Sequence, residues 1–190
     1  MTTPRGRYAA RLDVDYPEKL DRLTTLFRLI WTIPIAIILS LLSGGLWLAT
    51  VLMIVFRERY PRWWFEFARE LTCFGARAAA YLGLLTDRYP STDEEQAVHL
   101  EIDYPDVERD LNRWLPLVKW LLAIPHYVVL VVLWPIAVVA VVAAWFAVLV
   151  TGRCPRALFD FVVGVGRWSL RVDAYAFLLV TDRYPPFSLK

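Results

Sequence analysis

Two segments of the chain alternate apolar and charged residues one by one. In Leu12-Asp13-Val14-Asp15-Tyr16, and again in Leu100-Glu101-Ile102-Asp103-Tyr104, the apolar side chains fall on one face and the acids on the other. Such period-two patterning, closed by Pro17 and Pro105, predicts two short half-buried strands. After each strand the period changes. A helix charged in its first turns and then wholly apolar is expected from about residue 18 to 42, and another from about 107 to 133. Ser43-Gly44-Gly45 and Trp134-Pro135 read as tight turns, after which a second apolar segment returns to a cluster of arginines. The uncharged runs Leu29–Phe56 and Trp120–Val150 are too long for the core of a small soluble domain, so each pair is read as a transmembrane helical hairpin. Pro34 and Pro125 should kink the first helices, since proline removes a backbone hydrogen bond. The first return leg, Leu46–Phe56, is short for roughly 30 Å of hydrocarbon, and a hairpin that enters and leaves without crossing is the alternative.

The next segment, residues 62–86, is amphipathic. At about 100° per residue, Glu66, Arg69, Glu70, Cys73 and Arg77 share one stripe, and Trp63, Trp64, Phe67, Leu71 and Phe74 lie away from it. This is the pattern of a helix lying in the membrane interface. The second copy keeps Asp160, Arg167 and Arg171 on the stripe, but Gly164 replaces a charge and Asp173 falls off it.

These elements occur twice because the chain is a tandem duplication. Leu-Asp-Val-Asp-Tyr-Pro (12–17) matches Leu-Glu-Ile-Asp-Tyr-Pro (100–105), Ile33-Pro34 matches Ile124-Pro125, and Phe-Glu-Phe (65–67) matches Phe-Asp-Phe (159–161). Arg77 and Tyr81 match Arg171 and Tyr175, and Thr-Asp-Arg-Tyr-Pro closes both copies at 86–90 and 181–185. The division is a tail (1–11), repeat 1 (12–90), a linker (91–99) and repeat 2 (100–187). The expected fold is a mainly α membrane protein with a pseudo-twofold repeat, each copy made of a short β-strand, a transmembrane helical hairpin and an interfacial amphipathic helix.

Composition agrees: 58% of the 190 residues are hydrophobic and 15% aromatic, with a mean hydropathy of +0.44. A net charge of +2 gives no nucleic-acid footprint. Basic residues gather where each hairpin enters and leaves: Lys19, Arg22, Arg28, Arg57, Arg59 and Arg62, then Arg109, Arg113, Lys119, Arg153 and Arg156. By the positive-inside rule both sets belong in the cytoplasm. That requires an even number of crossings per copy, a multi-pass protein of the inner (plasma) membrane and both termini inside. Met1 to Tyr16 carries charges throughout, so no cleaved signal peptide is expected. Cys73 and Cys154 occupy non-equivalent places and read as plain thiols.

The second copy, through Ile-Pro-His (124–126), Pro-Arg-Ala-Leu-Phe-Asp-Phe (155–161) and Thr-Asp-Arg-Tyr-Pro-Pro-Phe (181–187), resembles the membrane family called domain of unknown function 4389, and the first copy resembles a diverged version. The resemblance imports no catalytic residues.

No catalytic constellation, metal spacing or cofactor motif is found, so neither an enzyme nor a cofactor is expected. His126 should hydrogen-bond a carbonyl freed by Pro125, and Asp15, Asp103, Asp87 and Asp182 should cap or end elements. The segment after each Thr-Asp-Arg-Tyr-Pro is expected to pair with a strand. Arg57, Arg59, Arg62, Arg153 and Arg156 are candidate contacts for lipid headgroups. Glu66, Glu70, Arg77, Asp160, Arg167 and Arg171 are candidates for a polar track between the repeats. The expected partners are membrane lipids and a membrane protein or second copy. Two functions follow: a non-enzymatic accessory or scaffold protein docking a partner through Trp63, Trp64, Trp114, Trp145 and Trp168, or binding and transport of a lipid or small hydrophobic ligand in a groove between the repeats.

Overall fold

The computed structural model describes residues 8–91 and 96–190, so most of the expected tail and the middle of the expected linker lie outside the described residues. The two alternating segments form β1 (Ala10–Val14) and β2 (Val98–Ile102). They pair antiparallel with each other, Leu12 opposite Leu100 and Ala10 opposite Ile102. The sheet is therefore a ribbon shared by the two copies. The segment after the second Thr-Asp-Arg-Tyr-Pro joins no strand. On the polar face Arg11 bonds Glu101 at 2.9 Å and Asp103 at 3.2 Å.

The helices are α1 (Arg22–Ser43), α2 (Leu46–Arg57), α3 (Arg62–Leu82), α4 (Val107–Asp110), α5 (Pro116–Leu122), α6 (Ile124–Thr151) and α7 (Arg156–Ala176). Asp21 caps α1, its Oδ1 accepting from Leu23 N at 2.7 Å, and Asn112 Oδ1 accepts from Trp114 N at 3.0 Å in the turn that leads to α5. The expected hairpin turns are not formed. Gly44 (φ −61°, ψ −28°) and Gly45 (φ −101°, ψ −10°) stay in right-handed helical space, and Arg22–Arg57 is one helical run of 36 residues. In the second copy α6 continues through Trp134 and Pro135. Glycine permits a turn without requiring one, and in an apolar setting every backbone amide that leaves the helix loses its partner. The prolines also part company: Pro34 lies inside α1, whereas Pro125 sits at the start of α6, where its missing N–H costs nothing.

The ends of the two runs are laced together. Arg22 donates to Val150 O at 3.0 Å, and Leu20 N to Gly152 O at 3.0 Å. Correspondingly, Arg113 donates to Val55 O at 2.7 Å and pairs with Glu58 at 2.5 Å. Each run thus begins beside the end of the other. The tyrosines after the strands cross over too. Tyr16 stacks edge-on against Phe159 at 5.0 Å, under Arg156, and donates to Cys154 O. Tyr104 does the same with Phe65 at 5.0 Å, Arg62 and Tyr60 O.

Large apolar side chains stand exposed along both runs, among them Leu41 (77%), Phe56 (73%), Val131 (70%) and Val150 (76%). Large contiguous apolar patches are rare on soluble monomers. Arg22–Arg57 and Ile124–Thr151 are each long and apolar enough to cross a membrane.

Because each repeat completes the other's sheet and run ends, halves cut between residues 92 and 95 should not survive alone. Co-expressed, they should be recovered from membranes as a 1:1 complex. Stable accumulation of either half by itself, with a cooperative thermal transition, would contradict the interlock.

Candidate functional site

The repeated Thr-Asp-Arg-Tyr-Pro ending closes onto a buried cation. In copy 1, Asp87 Oδ1 pairs with Arg28 at 2.7 Å while its Oδ2 accepts from Asp21 N at 2.6 Å. In copy 2, Asp182 Oδ1 pairs with Lys119 at 2.7 Å and Oδ2 accepts from Asn112 N at 2.6 Å. The cations are almost wholly enclosed, at 2% and 0% side-chain exposure. Thr86 O accepts from Arg28 at 3.2 Å and Thr181 O from Lys119 at 2.7 Å. Each threonine hydroxyl takes the N–H of the following arginine, and the cations lie over Tyr81 and Tyr175. The aspartates therefore do more than terminate helices. Arg28 and Lys119, expected at the flanks with the other basic residues, are internal counter-ions.

Between the two copies lies a cavity of about 1020 Å³. Leu12, Val14 and Leu100 of the ribbon line it, with α1, α3, α6 and α7 supplying walls such as Leu39, Leu71, Val138 and Trp145. Small residues on α3 and α7, Gly75, Ala76, Ala79 and Gly166, leave the space open. Only two charged side chains reach it among the described residues, Arg28 and Asp173. Arg28 is already satisfied by Asp87. Asp173 has no hydrogen bond or ion pair to its carboxylate among the described residues, and the Ser169 hydroxyl one turn earlier is buried without a partner. Desolvation by the surrounding protein pushes the Asp173 carboxyl up to about 6.

The residues expected to form a polar track are dispersed. Glu70 pairs with its neighbour Arg69 at 2.6 Å, Arg167 binds Leu12 O at 2.9 Å and Asp13 at 3.3 Å, and Arg77 and Arg171 hold the carbonyls of Ser91 and Ser188. Glu66 and Asp160 are exposed. None of the ion pairs among the described residues joins two members of the track. Arg57, Arg59, Arg62, Arg153 and Arg156 are all exposed, outside the cavity, with Arg62 and Arg156 at opposite ends of the ribbon. His126 does not bond a carbonyl: its Nδ1 accepts from Trp168 Nε1 at 3.1 Å and its ring stacks on Phe187 at 4.0 Å. Trp63 and Trp114 are exposed as expected of a docking surface, but Trp168 is buried and Trp64 and Trp145 turn inward to Thr50 and Thr25.

Sequence reading missed Arg28, Lys119 and Asp173 as site residues. The signal for the first two was present: a single cation at equivalent depth in each apolar run calls for an acid, and the repeated aspartate is that acid. For Asp173 the clue was its position off the charged stripe.

With this geometry the comparison with protein families is decisive. The model of the family described as Domain of unknown function (DUF4389) matches residues 22–92 and again 114–188. The chain belongs to the DUF4389 family, in two tandem copies. Each match begins at the head of a long run and ends just past a Thr-Asp-Arg-Tyr-Pro clamp, so the cation and its aspartate lie within one DUF4389 unit. No curated protein and no solved structure matches the chain significantly.

Removing one partner of a clamp leaves a buried ion uncompensated. Asp87→Ala and Asp182→Ala should each lose about 3–5 kcal/mol of stability. Arg28→Met combined with Asp87→Ala should lose less than the sum of the single changes. A double-mutant cycle on unfolding in detergent measures this, and simple additivity would show that the pair does not interact.

Proposed function

We propose that this protein is a multi-pass inner-membrane protein that binds a lipid or another hydrophobic amphiphile in the cavity between its two repeats. The cavity carries this reading. Its volume reaches the upper end of small-molecule sites, which run to about 1,000 Å³, and its walls are apolar with a few convergent polar groups. The two apolar runs supply the membrane in which such a ligand is found. Docking of a partner protein, the other expectation, would use Trp63 and Trp114, but no feature specifies the partner.

Filling the cavity tests the function. Ala79 projects from α3 into the space, so Ala79→Trp should reduce co-purifying lipid about tenfold, equivalent to roughly 1.4 kcal/mol, without lowering the thermal transition. Native mass spectrometry reads the bound species. Equal lipid retention in wild type and variant would remove the basis for the proposal.

In the same reading the ribbon, both arginine clusters and both termini face the cytoplasm. Support comes from the exposed arginines at the two ends of one ribbon, which suit a single anionic surface. With Cys73 and Cys154 replaced by serine, a cysteine at Ser188 should react only with reagent supplied from inside. One at Ser43 should react from outside if the first run reaches the far face midway along its length, whereas protection from both sides would make that run re-entrant. External labelling of Ser188 would invert the orientation.

A further inference from the structure

The two repeats are near-duplicates in their clamps and crossed tyrosines, so a difference on the cavity wall stands out. Arg77 and Tyr81 of α3 correspond to Arg171 and Tyr175 of α7, which aligns Ala79 with Asp173. Both line the cavity. One copy therefore presents a methyl group and the other a carboxylate to the same apolar space. The carboxylate serves no structural contact. Asp173 is an exposed residue, and it lines the cavity. Two further polar groups close by are also unpartnered, the hydroxyls of Ser169 on α7 and Tyr127 on α6.

An ionised carboxylate left alone among apolar walls costs several kcal/mol and persists where something else supplies the counter-charge. Within the protein the other charged residue lining the cavity is Arg28, but Asp87 occupies it at 2.7 Å. We infer that Asp173 is the anchor for the polar group of the bound amphiphile, and that this group is a protonated amine. An ammonium offers three donors, which can serve both Asp173 and the Ser169 hydroxyl as acceptors. A carboxylate or phosphate placed there would meet like charge, and an uncharged alcohol would leave the ion uncompensated. This inference rests on the cavity-binding reading and specifies its ligand class.

The test uses the full chain, stripped of lipid, titrated at pH 7.5 with dodecylamine, dodecanol and dodecanoate and followed by native mass spectrometry. Dodecylamine should half-saturate at least tenfold below dodecanol, with dodecanoate the weakest. Asp173→Asn should abolish the preference for the amine while leaving dodecanol binding unchanged, and Asp173→Glu should retain it. An amine preference that survives in Asp173→Asn, or no preference in wild type, overturns the anchor while cavity binding stands. Failure of all three probes to bind, or binding unaffected by Ala79→Trp, overturns the cavity reading and the anchor with it.

Discussion

A cation buried in an apolar helix must be neutralised where it lies, and this requirement organises the molecule. Arg28 and Lys119 cannot reach water, so the chain has to bring a carboxylate to each. It does so with the last segment of each repeat, whose aspartate spends its second oxygen on the amide at the head of the same run. One side chain thereby fixes the returning segment against the start of the helix it must face. The tyrosine of the motif reaches the same helix, Tyr184 to Leu122 O at 3.3 Å. Two positive-φ residues, Leu84 and Leu179, lie just ahead of the clamps, both buried. Non-glycine residues hold that conformation at a cost of order 1 kcal/mol, which the clamp and the packing around the leucines offset.

How much of this could be read from the residues depends on the range of the interaction. Period-two alternation placed β1 and β2 because it is local. The pairing of β1 with β2 was not local: the alternation of Leu12-Asp13-Val14 fits any partner of the same pattern, and only the tertiary arrangement selects the duplicate strand. The turns at 43–45 and 134–135 were misjudged through the ambiguity of glycine and proline, which mark places where a helix is permitted to end. Asp173 was visible as an irregularity of the α7 stripe, but its meaning depends on a cavity built by five helices and a ribbon. Side chains from α6 and α1 complete that space, and no window of sequence contains them together.

Duplication supplies a frame and also a background against which departures are legible. Where both copies agree, as in Asp87 and Asp182 or Tyr16 and Tyr104, a shared mechanical role explains the residue. Where they differ on a shared wall, as in Ala79 and Asp173, mechanics does not. His126 shows the limit of this logic: copy 1 has Ile35 at the corresponding place, yet the histidine is absorbed by Trp168 and Phe187 in an aromatic cluster with the chain end.

The crossed ribbon also sets an order of events during synthesis. β1 emerges first and has no partner until β2 follows, by which time the whole first apolar run has left the ribosome. For that interval β1 is a bare edge beside a newly made hydrophobic helix, the circumstance in which strands recruit foreign chains. Its outward face carries Arg11, Asp13 and Asp15. These charges oppose mispairing while the strand waits, and Arg11 is later neutralised by Glu101 and Asp103 of the strand that arrives.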